Sequence, residues 1–282
     1  MRIGFIGAGR VGFTMGKYLK LSGLEVTGYY SRNPKHAEEA ATFTDTSFYK
    51  DAYKLIDESD AIILTVSDGA ISEVFSEIKS YAGLAGKIVC HTSGSLASSV
   101  FTDTEYQVYG YSIHPIYAIS DRYESYKEFS NAYLTIEGDE KYLDELTLLL
   151  RGAGLKIAKM SGDEKTRYHA ACVMASNLVC GMYGAAVGTL ISCGFDKDTA
   201  ESMLSELFKA NALGIVEKGL TNQLTGPIDR NDVSTVTAHL ATLDAEQKKL
   251  YVEASKQVLS IAKEKNPDTD YTEMEKILNN LK

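Results

Sequence analysis

Six residues near the N-terminus constrain the fold of this chain more than any others. Gly7-Ala-Gly9-Arg-Val-Gly12 matches the pattern G-x-G-x-x-G and lies between an apolar run, Arg2–Ile6, and a helical pattern that starts near Val11. In a strand–turn–helix unit, the first glycine permits a tight turn, the second lets a pyrophosphate approach, and the third lets the helix pack on the strand. The helix amides would face the anion, which favours dinucleotide binding over a plain connection. The cofactor-binding residues predicted here are Gly7, Gly9, Arg10, Val11 and Gly12.

The rest of the chain falls into two parts with different periodicity. Up to about residue 160, short runs rich in Ile, Val and Leu alternate with helical patterns, as is typical of βαβ units and a mostly parallel sheet. The predicted strands are Arg2–Ile6, Glu25–Tyr30, Ala61–Val66, Lys87–His91, Val108–Ile113, Ala132–Glu137 and Leu155–Lys159, with a weaker one at Phe43–Ser47. After Met160 only helical patterns remain. We therefore predict an α/β fold, with a Rossmann-type dinucleotide-binding domain over residues 1–160 and an all-helical substrate or dimerisation domain over residues 161–282.

Composition excludes several classes of protein. The chain has 29 Lys and Arg against 38 Asp and Glu, and its pI near 5.2 argues against nucleic acid as the main partner. The hydrophobic content of 44% excludes a disordered chain, and no apolar run approaches the ~18 residues that span a bilayer, so no membrane partner is expected. The first apolar run is too short for a signal peptide. Four cysteines without paired spacing are typical of a reduced, cytoplasmic protein.

The end of the second predicted strand indicates which nucleotide binds. An NAD site usually has an acidic residue there, about 20 residues after the glycines, which holds the ribose hydroxyls. The sequence Tyr29-Tyr-Ser-Arg-Asn-Pro34 has no acid at this point. Ser31 and Arg32 are suited instead to a 2′-phosphate, with the arginine as a bidentate partner. We therefore predict NADP(H) as the cofactor, the alternative being an ordinary exposed arginine in a turn.

Polar residues follow two of the later strands, at the sheet edge where ligands of open α/β sheets bind. Val66 and Ser67 are predicted to lie by the nicotinamide-side ribose, whereas a capping role explains Asp68 at least as well. Ser93, in the loop after the next strand, places a hydroxyl at the same edge. Val66, Ser67 and Ser93 are therefore added to the predicted cofactor-binding residues.

Two histidines lie at the same sheet edge. His91 ends one strand, and we expect it to have a structural, hydrogen-bonded role. His114 precedes Pro115, which holds it in extended geometry, and an imidazole can exchange a proton near neutral pH. His114 is a catalytic candidate, with a structural role equally open.

A long helix is predicted from Ser161 to Cys193, with small residues, Gly184 and Gly188 among them, at close crossings with other helices. On a continuous helix the faces of His169 and Asn177 differ by only ~80°, so that both could face a cleft between the domains. A proton carrier and a neutral amide together can protonate and orient a carbonyl that is being reduced. His169 and Asn177 are therefore catalytic candidates, the alternative being polar groups that bridge helices, which is the role expected of Tyr168 and Ser176.

A second polar cluster, residues 224–235, interrupts the helical half. Arg230 could clamp a substrate carboxylate. Asp232 is assigned to substrate binding with it, although it could equally cap the following helix. The five histidines are scattered without a pair spaced for joint ligation, so we predict no metal site.

Several motifs in a fixed order over nearly the whole chain resemble one group of proteins. They are the GAGRVG turn, His91-Thr-Ser-Gly94, His114-Pro115, Tyr168-His169 with Asn177, and Leu224-Thr-Gly-Pro227 with Arg230 and Asp232. The set resembles bacterial proteins that join a Rossmann-like domain to a helical domain of unknown function. These belong to the superfamily of 6-phosphogluconate dehydrogenase, β-hydroxyacid dehydrogenases, ketopantoate reductase and pyrroline-5-carboxylate reductase. The resemblance implies an NADP oxidoreductase.

The chain departs from the family pattern at one catalytic position. β-Hydroxyacid dehydrogenases carry a lysine four residues before the helix asparagine, where this chain has Val173 before Asn177, and the nearest upstream lysine is Lys165. By role, His169 would take the place of that lysine. His114 with its proline is also similar to the catalytic His-Pro of prephenate dehydrogenases.

These observations predict an NADPH-dependent reductase of a small carbonyl acid, and the resemblance suggests a ketopantoate-type 2-keto acid. In this hypothesis His169, preferred over His114, protonates the oxygen, and Asn177 orients it. Arg230 holds the carboxylate. The alternatives are an imine reductase of the pyrroline-5-carboxylate type and a protein that senses NADP(H) without turnover. The expected partners are a small-molecule carboxylate substrate and a second copy of the chain in a homodimer.

Overall fold

An eight-stranded sheet organises the first part of the chain in the computed structural model. The structure describes residues 1–280; Leu281 and Lys282, the end of the predicted helical domain, lie outside the described residues. The strands are β1 (Arg2–Ile6), β2 (Glu25–Tyr30), β3 (Ser47–Phe48), β4 (Ala61–Leu64), β5 (Ile88–His91), β6 (Tyr109–Ile116), β7 (Tyr133–Gly138) and β8 (Lys156–Lys159). Their order in the sheet is β3-β2-β1-β4-β5-β6-β7-β8, and every neighbouring pair is parallel except β6 with β7. The mostly parallel Rossmann-type sheet predicted from the sequence is confirmed.

Helices cover both faces of the sheet. The helices among residues 1–174 are α1 (Arg10–Leu21), α2 (Pro34–Thr44), α3 (Ala52–Glu58), α4 (Asp68–Ile78), α5 (Glu140–Gly152) and α6 (Lys165–Met174). One apolar cluster includes Phe5, Phe13 and Tyr29, and a second includes Leu64 and Phe75. Because apolar layers bury both sides of β1, β4 and β5, these strands are apolar apart from Arg2 at the start of β1 and His91 at the end of β5, which is the pattern that predicted a parallel sheet.

The sequence-predicted strands agree closely with the structure, except at the weaker one. Residues 43 and 44 belong to α2, and β3 is only Ser47–Phe48. Asp45 ends α2 in the left-handed conformation with φ 57°, so the chain turns at this residue before the short strand begins.

The predicted long helix is interrupted. α6 ends at Met174, and α7 begins at Asn177 after Ser176, whose backbone φ of −128° and ψ of −83° is not helical. Serine and asparagine side chains compete with helical backbone bonds and favour helix ends, and the Ser176 hydroxyl lies 3.1 Å from Asn177 Oδ1. The prediction that His169 and Asn177 share a face of one continuous helix is therefore wrong.

The second compact unit starts at Ala175, whereas the strand pattern placed the domain boundary after Met160. The difference is α6, which belongs to the first unit. The helices of the second unit are α7 (Asn177–Ser192), α8 (Lys197–Lys218), α9 (Leu220–Gln223), α10 (Val233–Thr242), α11 (Ala245–Lys265) and α12 (Thr272–Asn279). Its apolar core, which includes Val236, Leu259 and Met274, lies among α10, α11 and α12.

α7 is apolar on all sides, yet Val187 is its one buried residue. A Cβ atom added at Gly184 or Gly188 would meet no other atom within 4 Å in the described chain. The predicted close crossings at these glycines are therefore wrong within one copy of the chain. By length and composition alone, the stretch Gly162–Ser192 could cross a membrane, and 6% of its most apolar window is buried.

Candidate active site

The glycine-rich turn joins β1 to α1 at the carboxyl end of the parallel strands. Gly7 has φ of +109°, and a Cβ there would lie 2.8 Å from the Thr65 carbonyl. A Cβ on Gly12 would lie 2.7 Å from Thr65 Oγ1, the hydroxyl that donates to the Gly7 carbonyl at 2.8 Å. The fold itself thus requires glycine at both positions, because any side chain there would clash or strain the backbone.

Gly9 is different, because the protein's own packing does not exclude a side chain there. A Cβ on Gly9 would come no closer than 3.8 Å to Thr65 O, and its backbone is in an ordinary extended conformation. Gly9 is the N-cap of α1 and offers no side-chain cap to the helix amides. A side chain would fill the space that an approaching pyrophosphate needs, so the residues present fit a dinucleotide at this turn.

A cavity of about 260 Å³ opens beside the turn. Its lining includes six of the predicted cofactor-binding residues: Gly7, Gly9, Ser31, Arg32, Val66 and Ser67. It also includes His36 and Glu77, which sequence reasoning missed. Arg10 and Val11 form the first turn of α1, and Gly12 is buried in that helix.

Arg32 lies where a 2′-phosphate is expected, and it forms one weak, exposed ion pair with Glu73. Its Nη1 is 3.2 Å from Glu73 Oε1, and both side chains are 60% exposed. An exposed ion pair of this kind contributes ~0–1 kcal/mol, so a doubly charged phosphate can displace the glutamate. No buried contact ties Arg32 to another role.

Replacement of Arg32 by alanine is expected to remove most of the preference for NADPH over NADH and to leave NADH affinity nearly unchanged. The reason is the loss of one charge-assisted contact that only the 2′-phosphate can make. Calorimetric titration of both nucleotides measures the effect, with Arg167→Ala as a control for net charge, since Arg167 is 87% exposed on α6. Equal affinities for the two nucleotides in the unmutated protein would contradict the assignment.

A second group of polar side chains lies on one face of the sheet at β6 and β7. Ser112 pairs with Glu137 and His114 with Thr135 across these antiparallel strands. Because side chains alternate along a strand, these four residues share a face, and the intervening residues, such as Ile113, are apolar. Residues of α6 contact this face. They are Lys165, Tyr168 and His169, which are three and four residues apart and therefore lie on one side of the helix.

The hydrogen bonds around His114 indicate which of its two ring nitrogens carries the proton. Thr135 Oγ1 donates to the Tyr168 hydroxyl at 3.1 Å, and that hydroxyl is 2.6 Å from His114 Nδ1. Burial raises the pKa of Tyr168 well above its ordinary value, so its hydroxyl keeps its proton. We assign the tyrosine proton to its 2.6 Å contact with Nδ1 of His114, and with this assignment the imidazole carries its own proton on Nε2.

Nε2 of His114 lies against Gly94, in the loop after β5. A Cβ on Gly94 would be 2.8 Å from His114 Nε2 and 2.4 Å from His169 Cδ2. The two imidazole rings are 5.9 Å apart, centre to centre, and nearly perpendicular. Gly94 thus allows both histidines to approach one stretch of backbone at the carboxyl edge of the sheet, the edge that also carries the glycine-rich turn.

His114 is uncharged at neutral pH. Burial lowers its pKa to about 4, and the positive charge of Lys165 acts in the same direction, as does His169. A neutral imidazole with its proton on Nε2 is a hydrogen-bond donor that can polarise a substrate oxygen or nitrogen without first losing a charge.

His91, by contrast, is part of the framework. Its Nδ1 accepts a hydrogen bond from Ser93 N at 3.2 Å, and Nε2 lies 3.2 Å from the Ala97 carbonyl, to which it donates. Burial lowers the pKa of His91 to about 4. The hydrogen-bonded, structural environment expected from the sequence is present.

Acid is expected to destabilise the protein through these two histidines. Each has a folded-state pKa of about 4, below the ordinary 6.5, so their stabilising contribution is complete above pH 6.5 and is lost as the pH falls towards 4. At pH 5 the loss is about 2 kcal/mol for each histidine. Urea unfolding at pH 7 and pH 5 measures this loss in the free energy of unfolding. In the His91→Asn variant the free energy of unfolding should depend less steeply on pH. The same dependence in both proteins would contradict this explanation.

The Ser93 hydroxyl is engaged within the protein. It donates to Asp68 Oδ2 at 2.7 Å and accepts from the amides of Ser95 and Leu96, and the residue is 2% exposed. Asp68 is not the N-cap of α4, which is Ser67, but its carboxylate accepts from both serines of this loop. Ser93 does not line the cavity beside the glycine turn. Its cofactor-binding role stays a prediction.

The remaining predicted residues belong to the second unit. Asp232 caps α10, accepting from the Thr235 hydroxyl at 2.7 Å and the Thr235 amide at 3.0 Å, and these bonds lower its pKa to about 2. This is the capping alternative that the sequence left open, and it uses the carboxylate that was assigned to substrate. Arg230 is exposed, and Asn177 is the first residue of α7. Their roles toward a substrate stay predictions.

Two protein families match parts of the chain, and both matches are consistent with the fold and the nucleotide site described above. Residues 2–93 match the family described as NADP oxidoreductase, coenzyme F420-dependent, and residues 132–258 match a domain of unknown function, DUF2520. The chain is thus an NADP-dependent oxidoreductase of Rossmann type. The two matches together confirm the resemblance seen in the sequence, and the match of residues 2–93 confirms the predicted NADP(H) cofactor. No curated protein sequence matches the chain significantly.

Solved structures share the fold over nearly the whole chain. Protein TM1727 from Thermotoga maritima is 22% identical with a TM-score of 0.75, and the match covers 94% of this chain and 99% of that one. BF3122 from Bacteroides fragilis, described provisionally as an NADP oxidoreductase, is 22% identical with a TM-score of 0.65, over 92% and 98% of the two chains. Pyrroline carboxylate reductase from Plasmodium falciparum, solved with NADP bound, is 11% identical with a TM-score of 0.58, over 93% and 98%.

Proposed function

We propose that the protein uses NADPH to reduce a C=O or C=N bond of a small carboxylate. The observation that carries the proposal is the packing of His114 Nε2 and the His169 ring against Gly94, together with the burial that lowers the pKa of His114. In such a site a reacting atom needs a hydrogen-bond donor aimed at it and a group that delivers a proton. The carboxyl edge of the strands supplies both, on the side of the sheet where the glycine turn binds the nucleotide.

The cofactor, when bound, supplies the hydride. The amides after Gly9 would hold its pyrophosphate, and Arg32 its 2′-phosphate. His114 donates from Nε2 to the substrate oxygen or nitrogen and thereby stabilises the charge that develops there. His169 delivers the proton, the role that sequence reasoning preferred for it. The roles of Asn177 in orientation and of Arg230 in carboxylate binding remain part of this proposal, and single variants test each.

Imine reduction is the second candidate, and Asp68 favours it. Its exposed carboxylate lies at the same edge, where it bonds Ser93 and Ser95, and a negative charge there would attract a protonated imine. Structural neighbours include the pyrroline carboxylate reductase and an imine reductase from Streptomyces aurantiacus. A ketopantoate-type 2-keto acid is the carbonyl candidate that the sequence suggested.

The experiment that tests the function is a steady-state assay of NADPH consumption with 2-keto acids and cyclic imines offered one at a time. We expect turnover with at least one of them, and a lower kcat/KM with NADH. Tight NADPH binding without turnover on any compound would favour the alternative of a protein that senses the nucleotide. We propose the cytoplasm as its location, in keeping with four cysteines that form no disulfide within residues 1–280.

We further propose that a second copy of the chain covers α7 and α8. Leu178 and Met182 on α7 and Leu207 and Val216 on α8 are exposed by 44 to 83%. A helix that is apolar on all sides is normally buried. A bilayer does not fit as the occupant, because α8 pairs Lys197 with Glu201 and Lys209 with Glu206 along its length. A symmetric dimer buries the same apolar patch on both copies.

Leu207→Asp is expected to convert the dimer into a monomer, because it buries an unpaired charge in the interface. Analytical ultracentrifugation measures the mass of the particle in solution and so distinguishes a dimer from a monomer. Leu148→Asp is the matched control, since Leu148 is 68% exposed on α5, outside the proposed interface, and should leave the dimer intact. A monomeric unmutated protein at micromolar concentration would contradict the dimer.

A further inference from the structure

Lys165, the first residue of α6, is almost completely buried. It is 1% exposed, and its Nζ donates to the Ser93 carbonyl at 2.8 Å and to Ser112 Oγ at 2.7 Å. Both acceptors are neutral. Within residues 1–280, no carboxylate oxygen lies at ion-pair distance from Nζ.

Burying a lysine with neutral partners alone is unfavourable. Lysine is almost never fully buried unless it is paired, because removal of its charge from water costs free energy that two neutral acceptors do not return. A residue needed only for packing would be apolar at this position. Burial lowers the pKa of Lys165 and outweighs the charges of Glu137 and Asp68, which raise it without an ion pair. A buried ammonium with two neutral acceptors, next to titratable groups, therefore calls for an explanation in terms of the site it adjoins.

The two hydrogen-bond acceptors of Lys165 lie on the two segments that adjoin His114, the loop after β5 and strand β6. Ser93 precedes Gly94, on whose backbone both His114 and His169 pack. Ser112 lies two residues before His114 on the same face of β6. One ammonium group thus joins the loop after β5 to β6.

We propose that Lys165 is a positioning residue for His114: its ammonium group fixes the Gly94 loop against β6 and places a positive charge near the imidazole, so that Nε2 is held ready for a substrate. The proposal rests on the proposed function for the use of Nε2. Lys165 does not touch a substrate, since it is enclosed. It therefore differs from the substrate-contacting lysine that the family resemblance would have placed four residues before Asn177.

The other charged and titratable groups that face His114 do not replace the effect of the Lys165 charge on the imidazole. They are Tyr168 and His169 on α6, His91 on β5, and Asp68 on α4, of which only Asp68 favours the charged imidazole. Glu137 on β7 is bonded to the Ser98 amide at 2.7 Å and to the Ser98 hydroxyl at 2.8 Å. Burial lowers the pKa of Lys165 to about 8, so the ammonium form still prevails at pH 7.

The test is an NMR titration of isotope-labelled histidine side chains in the full chain, with the His114 signal assigned by its loss in His114→Gln. In the unmutated protein we expect His114 to stay neutral to about pH 5. Lys165→Met, which keeps the volume and removes the charge, should raise the pKa of His114 by about one unit or more. Lys165→Arg, which keeps the charge, should not raise it. The same His114 titration in the methionine and arginine variants would overturn the proposal.

Two further readouts separate positioning from folding. Ser112→Ala keeps the lysine and removes one acceptor, so the pKa of Lys165, followed by NMR of labelled lysine, should fall below its value in the unmutated protein, and an unchanged value would contradict the bond. With a substrate in hand, Lys165→Met should lower kcat at least tenfold and leave NADPH affinity unchanged, and arginine should restore part of the rate. The histidine titration needs no substrate, so it still decides the role of Lys165 if no reductase activity is found.

Discussion

Gly9→Asp is expected to abolish NADP(H) binding and to leave the fold intact. Among residues 1–280, no atom outside the adjacent residues and the helix's own backbone lies closer than 3.8 Å to the added Cβ, so the substitution fits the described fold. A carboxylate at the N-cap of α1 would nevertheless occupy the space of the pyrophosphate and repel its charge. We expect an affinity loss of at least about 100-fold by calorimetry, with an unchanged thermal midpoint.

Gly152→Asp is the matched control for this variant. Gly152 is an exposed glycine at the end of α5, with no other atom within 4 Å of an added Cβ, and it lies in no predicted site. It should leave NADPH affinity unchanged. Tight NADPH binding by Gly9→Asp would show that the glycine turn does not hold the nucleotide.

The second large effect is expected from His114. His114→Ala removes the Nε2 donor and leaves the Tyr168 hydroxyl without its acceptor, so kcat should fall by about 10²- to 10⁴-fold with NADPH affinity intact. His169→Ala should also lower kcat, and the two losses should combine less than additively because both groups serve the same reacting atom.

His239→Ala is a matched control for His114→Ala. Nδ1 of His239 lies 3.0 Å from the Tyr251 hydroxyl, and the two rings are nearly perpendicular, which repeats the His114–Tyr168 pair in the second unit. Its loss should leave kcat unchanged. If His114→Ala retains full activity while His169→Ala does not, His114 is structural, the alternative that the sequence left open.

Local chemistry explains why the nucleotide site could be predicted from the sequence. The glycine-rich turn spans six consecutive residues between β1 and α1, and Ser31 and Arg32 follow β2 directly, so short-range patterns define all of them. The strand predictions succeeded for the same reason, since burial on both faces makes each strand a continuous apolar run.

The polar face on β6 and β7 depends on pairing across the sheet, which a single sequence shows only weakly. Alternation in Ser112-Ile-His114 and Thr135-Ile-Glu137 was a usable signal, as was the spacing of Lys165, Tyr168 and His169 on one helix face. Sequence reasoning considered Tyr168 a bridging group and did not use Thr135 or Glu137. The partners of Lys165 come from segments 53 and 72 residues away, and no local pattern indicates them.

The break at Ser176 was missed for a different reason. Small and apolar residues on both sides continue a helical pattern, and one serine–asparagine pair outweighs it. The error mattered, because the argument that joined His169 to Asn177 depended on one straight helix.

Deuterium transfer tests the central claim most directly. The protein would be incubated with NADPH that carries deuterium at the transferred position and with a pool of 2-keto acids and cyclic imines, and mass spectrometry would record every product. We expect one deuterium in a reduced carboxylate for each NADPH oxidised, a product that is absent with Gly9→Asp and strongly reduced with His114→Ala. Loss of NADPH without deuterium in any organic product, or equal labelling by His114→Ala, would contradict a reductase that works through this site.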